Sequence, residues 1–371
     1  MEFGAHHLAA VALRMTPGIG IKGAVHLLEV FGDAQAVFDA SPDELTGRAE
    51  LRPDAARAIV ARKAFAAAER ELRHCARHGI TVLAPTDPDY PPLLREMPDY
   101  PTVLYVQGDP AALNRRMLSV VGTRRATTYG QIACSRLIEG LAEQLPDLCV
   151  VSGLAFGIDA AAHRAALAAG ATTVAVLANA LPEVMPAQHA ALARDLLAHG
   201  GALLSETDTQ TPQKGTGYLA RNRIIAGLSC GTLLVESPES GGALYTAACA
   251  DGYHRTVMAV PGRINDSASY GTNHLIATQK AQLVQSAGAI IRALSWDLGP
   301  AAVPLRPAPV PELLTPEEAQ LLALFPESDP IAAGELAAAS GCDIGRLTAL
   351  LVSLELAGAV RQLPGNRYVK C

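Results

Sequence analysis

The sequence predicts an α/β protein: a doubly wound, mostly parallel sheet preceded by a helical segment and followed by a small winged-helix-like module. Short continuous apolar runs alternate with helical stretches over residues 81–297, the pattern of parallel strands covered on both faces. Several of those runs end in a Gly- or Ser-containing turn that opens a helix, which places loops together at one edge of the sheet. A linker over 298–312, with prolines at 300, 304, 307, 309 and 311, then isolates a pattern of three helices and a hairpin over 313–371.

Residues 1–80 are helical, because apolar positions recur at helical spacing through 8–15, 24–31 and 55–72. The β-like runs that follow are 117–121, 148–152, 173–177, 202–204, 232–235, 256–260 and 282–284. The last hairpin, over 360–369, turns at Pro364, Gly365 and Asn366. In residues 301–371 the eight Asp and Glu outnumber the five Lys and Arg. A winged helix that grips DNA needs cations facing phosphates. Protein contact or simple packing therefore suits this module better than DNA reading.

The composition sets limits on function. At roughly 150 residues per domain, 371 residues imply two or three domains. A hydrophobic content of 50% against 18% charged residues supports a large core rather than global disorder. The net charge of −6 excludes a generally basic, polyanion-coating protein and leaves room for a local cationic pocket. The seven cysteines form no C-x-x-C pair, so reduced thiols and a cytoplasmic location are expected. No signal peptide is evident at the N-terminus. The uncharged stretch 165–182 contains Gly170, Thr172, Thr173 and Asn179 and changes pattern midway, which fits a helix end plus a buried strand rather than a membrane span. The histidines show no metal-ligating motif, and neither a P-loop nor a G-x-S-x-G elbow occurs, so no metal or cofactor is expected.

Four turns carry the candidate chemistry. The first is Gly122-Thr123-Arg124-Arg125 after a buried strand: backbone N–H groups and a helix N-terminus converge there, and Arg124 adds a fork suited to phosphate oxygens. The second runs Ser152-Gly153-Leu154-Ala155-Phe156-Gly157-Ile158-Asp159, with His163 one helical turn later. Asp159 suits a helix-capping role better than an acid/base pair with His163, since no nucleophile accompanies them. The third is a polar loop with Lys214 and Tyr218 leading into Arg221-Asn222-Arg223. Cations are disfavoured at a helix start. Either a bound anion or an ion pair with Glu206 or Glu236 would offset that cost. Lys214 and Tyr218 supply a phosphate contact and a stacking ring, a pairing used for single-stranded nucleic acid. The fourth, Ser240-Gly241-Gly242, starts another helix and would close the same crevice.

Taken in this order, the motifs closely resemble the DprA/Smf family of DNA-processing proteins, with Arg221-Asn222-Arg223-Ile224-Ile225-Ala226-Gly227-Leu228-Ser229 as the longest match. The resemblance implies an extended Rossmann-like domain over 81–297 that binds and protects single-stranded DNA, and that helps load the RecA recombinase during natural transformation. It implies no catalytic turnover and a homodimer formed through the Rossmann domain. The DNA-binding positions it suggests are Gly122, Thr123, Arg124, Ser152, Gly153, Gly157, Lys214, Tyr218, Arg221, Asn222, Arg223, Ser240 and Gly241. Met258, Leu275 and Ile276 are either dimer interface or ordinary core. Thr16-Pro17-Gly18-Ile19-Gly20 looks like a helix–hairpin–helix turn, akin to the sterile-alpha-motif-like domain at this family's N-terminus, here residues 1–80. The chain departs from the family pattern at Lys280, which stands where a glycine is usual, at Tyr218-Leu219 and at Ser240-Gly241-Gly242. A second reading stays open: the wider superfamily includes nucleotide sensors and nucleoside-monophosphate phosphoribohydrolases with similarly glycine-rich turns.

Overall fold

The computed structural model describes residues 3–210, 217–296, 315–326, 331–356, 359–363 and 367–370. Lys214, the linker over 298–312 and the hairpin turn at Pro364, Gly365 and Asn366 lie outside the described residues. The chain divides into two compact units, Met1–Trp296 and Asp297–Cys371.

The first unit opens with helices α1 (Ala5–Met15), α2 (Ile21–Phe31), α3 (Ala34–Asp39), α4 (Pro42–Gly47), α5 (Pro53–Val60) and α6 (Phe65–His78). Local chemistry sets their ends. Asp33 accepts the Ala36 N–H to start α3, and Ser41 and Glu44 form a reciprocal capping box on α4. These helices do not close a core of their own. Ala9, Leu13, Leu27, Ile59 and Leu72 share one buried cluster with Val103, Tyr105, Ala175, Leu177 and Leu203 of the following α/β region.

That region contains β1 (Ile80–Leu83), α7 (Pro92–Arg95), β2 (Leu104–Gly108), β3 (Arg116–Val121), α8 (Thr128–Ala142), β4 (Leu148–Ser152), α9 (Ile158–Ala168), β5 (Thr172–Leu177), α10 (Ala190–Ala198) and β6 (Ala202–Ser205). It continues through α11 (Gly217–Leu228), β7 (Gly231–Leu234), α12 (Gly242–Gly252), β8 (Thr256–Ala259), α13 (Tyr270–Ala277), β9 (Gln282–Leu283) and α14 (Ala287–Ala293). The strands form one nine-stranded sheet in the order β1-β2-β6-β5-β4-β3-β7-β8-β9. From β6 to β9 every pairing is parallel, while β1–β2 and β2–β6 are antiparallel. The sequence pattern did not single out β1 and β2. β1 pairs with β2, and β2 is placed by its long-range match to β6, so no local signal marks either.

Alternate residues of the central strands point to opposite faces. Met117, Val121, Val151 and Leu234 meet Ile224, Ile225 and Ala247 on one side. Leu118, Val120, Val150 and Leu233 meet Ile138, Leu141, Ala162 and Ile290 on the other. The chain leaves β3 toward β4 and, after β6, returns to the far side of β3 with β7. This reversal makes the β3/β7 gap the topological switch point, where the loops at the strands' carboxyl ends diverge and leave a crevice.

The second unit holds α15 (Pro316–Leu322), β10 (Ile331–Ala332), α16 (Ala333–Ser340), α17 (Ile344–Leu356), β11 (Val360–Leu363) and β12 (Arg367–Lys370). Its strands pair in the order β10-β12-β11 around a core of Leu321, Leu336, Leu347, Leu351, Leu354 and Tyr368. Among the described residues, no single helix is long and apolar enough to cross a membrane.

Candidate functional site

At the switch point lies a cavity of about 470 Å³, lined from the β3 turn by Gly122, Thr123 and Arg124, from α11 by Tyr218, Arg221 and Asn222, and from the β7 turn by Ser240, Gly241 and Gly242. The structure thus brings together three of the four turns read from the sequence. Of the second turn, Ala155 and Asp159 reach the cavity.

The β3 turn departs from the expected anion cradle. The carboxylate of fully buried Glu236 accepts the Thr127 N–H (2.9 Å) and the Thr127 hydroxyl (2.5 Å), and Thr127 in turn caps α8 through the Gly130 N–H (3.1 Å). The protein supplies its own anion at that helix N-terminus, so α8 offers no open terminus to an external anion. The open terminus belongs to α12, whose N-cap Gly241 provides no side-chain bond and whose first residues line the cavity. Arg124 is exposed, and its guanidinium lies 5.2 Å from the centroid of the Tyr218 ring. That cation–π contact holds a cation and a half-exposed aromatic face side by side at the cavity mouth.

The α11 arginines divide. Arg221 reaches the cavity but is buried, and its Nη1 donates to the carbonyls of Gly153 (2.8 Å) and Val176. A Cβ at Gly153 would stand 2.6 Å from the guanidinium and force it to shift from these carbonyls. Arg223 is a correction to the expected DNA contacts. It is buried, donates to both Glu206 oxygens (2.7 and 2.6 Å), and lies 3.7 Å from Asp99. It is therefore an internal ion pair, the alternative that the sequence left open. Since α11 begins at Gly217, neither arginine sits in its first turn, and the dipole penalty is smaller than the motif suggested. Asn222 ties α11 to α12 by donating to the Gly242 carbonyl (3.2 Å).

Ser152 is a second correction: it is fully buried and donates to the Val120 carbonyl (2.6 Å), stitching β4 to β3. Gly157 lies outside the cavity lining. Its φ of +79°, with the Thr123 carbonyl where a Cβ would stand, lets the β4 turn pack against the β3 turn. Asp159 accepts the N–H groups of Gly153 (3.2 Å) and Ala155 (3.4 Å). Burial pushes its carboxyl up, and Arg221 pulls it back. His163 is turned away, onto Thr173 (2.7 Å), and burial pushes it down to about 3. The two do not act as an acid/base pair.

Met258 is a third correction, since it is fully buried in the core and unavailable to a partner, whereas Leu275 and Ile276 are half-buried beside the core. Outside the cavity, His6 and His7 meet Asp87 at 3.0 and 3.1 Å. The Gly4 N–H donates to His7 Nδ1 (3.2 Å), which leaves the ring proton on Nε2 to donate to Asp87. His7 in this tautomer is a donor to the carboxylate rather than a metal ligand. Sequence reasoning also missed Thr246 of the cavity lining, and it met Leu219 and Pro238 only as members of the motifs and not as site residues, since their residue types carry no signal of their own.

The family model for DNA recombination-mediator protein A matches residues 81–295, and that for the DprA winged helix domain matches residues 305–366. Protein Smf of Escherichia coli is 38% identical over 295 residues, covering 78% of this chain and 77% of its own length. The putative DNA processing protein DprA of Mycobacterium tuberculosis is 34% identical over 325 residues, covering 84% and 82%. The X-ray structure of DprA from Streptococcus pneumoniae superposes with a TM-score of 0.67 at 28% identity, covering 79% of this chain and 98% of that one. DprA from Helicobacter pylori, described with a single-stranded DNA binding mode, superposes with a TM-score of 0.51 at 27% identity, covering 58% and 95%. Fold, motif order and these matches agree, and the chain belongs to the DprA/Smf family of DNA-processing proteins.

Proposed function

We propose that this protein binds single-stranded DNA along the carboxyl edge of its sheet, protects it, and helps load RecA recombinase onto it during natural transformation, without catalytic turnover. The observation that carries this reading is the pairing of Arg124 with Tyr218 beside the open N-terminus of α12. A phosphate at the helix N–H groups and Arg124 leaves its base within reach of an aromatic face. The relative from Helicobacter pylori, with its single-stranded DNA binding mode, supports the same reading. The non-catalytic part rests on Asp159, the carboxylate lining the cavity, being committed to backbone N–H groups.

The protein acts as a homodimer in this proposal. Strand β9 is an edge of the sheet, its residues Gln282 and Leu283 are exposed, and Leu275 and Ile276 lie on the preceding helix. An open edge strand with an exposed leucine is a template for pairing with a second copy. Light scattering at micromolar concentration tests this, and a clean monomer mass overturns it.

The deciding experiment for DNA is a titration with a single-stranded oligonucleotide, a blunt duplex of equal length and nucleoside monophosphates at several salt concentrations. Tighter binding of the single strand, weakening with salt, is expected. Equal affinity for duplex overturns the reading, and a preference for a mononucleotide favours a nucleotide sensor or phosphoribohydrolase instead. Recombinase loading is read as faster RecA filament assembly on strand coated with the protein.

A further inference from the structure

We infer that Phe156 is a second base-stacking platform, taking the base of a nucleotide just outside the Arg124 end of the cavity; this rests on the single-stranded DNA reading above. Phe156 is 45% exposed, although its neighbours Leu154 and Ile158 are fully buried. The turn that carries it is held from several sides. Leu154 stands at φ +56°, a left-handed conformation unusual for a branched residue, and its carbonyl accepts the His189 Nδ1–H at 2.7 Å. Asp159 holds the Gly153 and Ala155 N–H groups, and the Ile158 N–H donates to Thr123 at 3.1 Å. The Phe156 ring packs on the buried His189 ring, centroids 4.8 Å apart, so one side is supported while the rest stays accessible.

The location follows from the strand order. The turns after β7, β3 and β4 and the loop that ends at His189 after β5 succeed one another along the same sheet edge, about 5 Å per strand. Ala155, next to Phe156, lines the cavity rim, and Gly157 abuts the Thr123 carbonyl. A strand whose phosphate sits between Arg124 and α12 and which runs on toward β5 passes over Phe156. A preorganised aromatic ring at that point gives stacking with little ordering cost and no base preference, since every base has a π-face.

The test uses the full chain with Phe156→Ala, Phe156→Leu and Phe156→Trp, a labelled thymidine oligonucleotide, and the same strand carrying abasic sites. Leucine keeps apolar packing on His189 without the ring, and thermal melts check that each variant is folded. Both Phe156→Ala and Phe156→Leu are expected to weaken binding of the normal strand roughly fivefold or more, and to match the wild type on the abasic strand. Emission of Phe156→Trp should be quenched by the normal strand and not by the abasic one. The chain's single native tryptophan, Trp296, sits against Cys230 at the opposite end of β7 and serves as the unquenched control. Wild-type affinity in a folded Phe156→Leu, or an equal loss on the abasic strand, overturns the platform while leaving DNA binding intact. Failure of the wild type to bind the normal strand overturns both readings.

Discussion

The arginines that follow β3 and those carried by α11 come from two motifs read as one candidate site, and the fold treats them in opposite ways. Arg124 and Arg125 are exposed, and Arg124 rests on a tyrosine face that leaves its charge available. Arg221 and Arg223 are buried, one on backbone carbonyls and one on carboxylates. A short run of cations therefore has two physical meanings. An exposed guanidinium over an aromatic ring can exchange water for a phosphate. A buried guanidinium is bound to its internal partners because each alternative leaves a charge unpaired in a low dielectric.

The largest expected effect lies on the buried side. Arg223→Ala leaves Glu206, with Asp99 nearby, without its cation, and should cost about 3–5 kcal/mol of unfolding free energy in urea melts. A loss below about 1 kcal/mol would erase the distinction between the two regions, since that is the range of exposed pairs.

The same buried layer predicts a pH dependence. His163 is held down to about 3 in the folded chain, against an ordinary value of 6.5. Between those values the unfolded chain binds more protons, so stability is complete above about pH 6.5 and falls as the pH drops toward 3. From pH 7 to pH 5 the loss attributable to this ring is about 2 kcal/mol. Substituting His163→Gln should flatten that part of the profile, and an unchanged slope would show that the ring is accessible to protons in the native state.

On the exposed side, Arg124→Ala should leave the urea midpoint unchanged and weaken single-stranded DNA binding more than Arg263→Ala, a change at an exposed arginine in the loop after β8 that does not line the cavity. Loss of one phosphate contact lowers the log-affinity against log-salt slope by roughly 0.7. An unchanged slope places Arg124 outside the site. The smallest effect concerns the second unit: removing residues 311–371 should alter DNA affinity less than tenfold, or about 1.4 kcal/mol, because its excess of carboxylates gives phosphates no attraction. A larger loss in a folded truncation would make that unit a second DNA-binding region and extend the comparison to it.

Much of the fold was legible in the chain. Continuous apolar runs mark β3 to β8, because parallel strands covered on both faces need apolar side chains on both. Strands β1 and β2 were not legible, since β2 is placed by its distant partner β6 and β1 in turn by β2. The same limit applied to the site. Its location followed from turns at the ends of β3 and β7, and the sequence carried Gly122, Arg124, Tyr218 and Ser240 to the cavity. It did not show that Glu236 fills the α8 terminus, that Ser152 and Arg223 face inward, or that Met258 is core.

What the sequence determined by itself is therefore the periodicity, the turn chemistry and the order of motifs, each of which acts over a few neighbouring residues. What only the tertiary structure decided is which polar groups remain available. That choice depends on partners brought together from across the chain, such as Thr127 with Glu236 and Arg223 with Glu206. A buried donor must find an acceptor within about 3 Å, and no local pattern specifies which acceptor the folded chain will bring there.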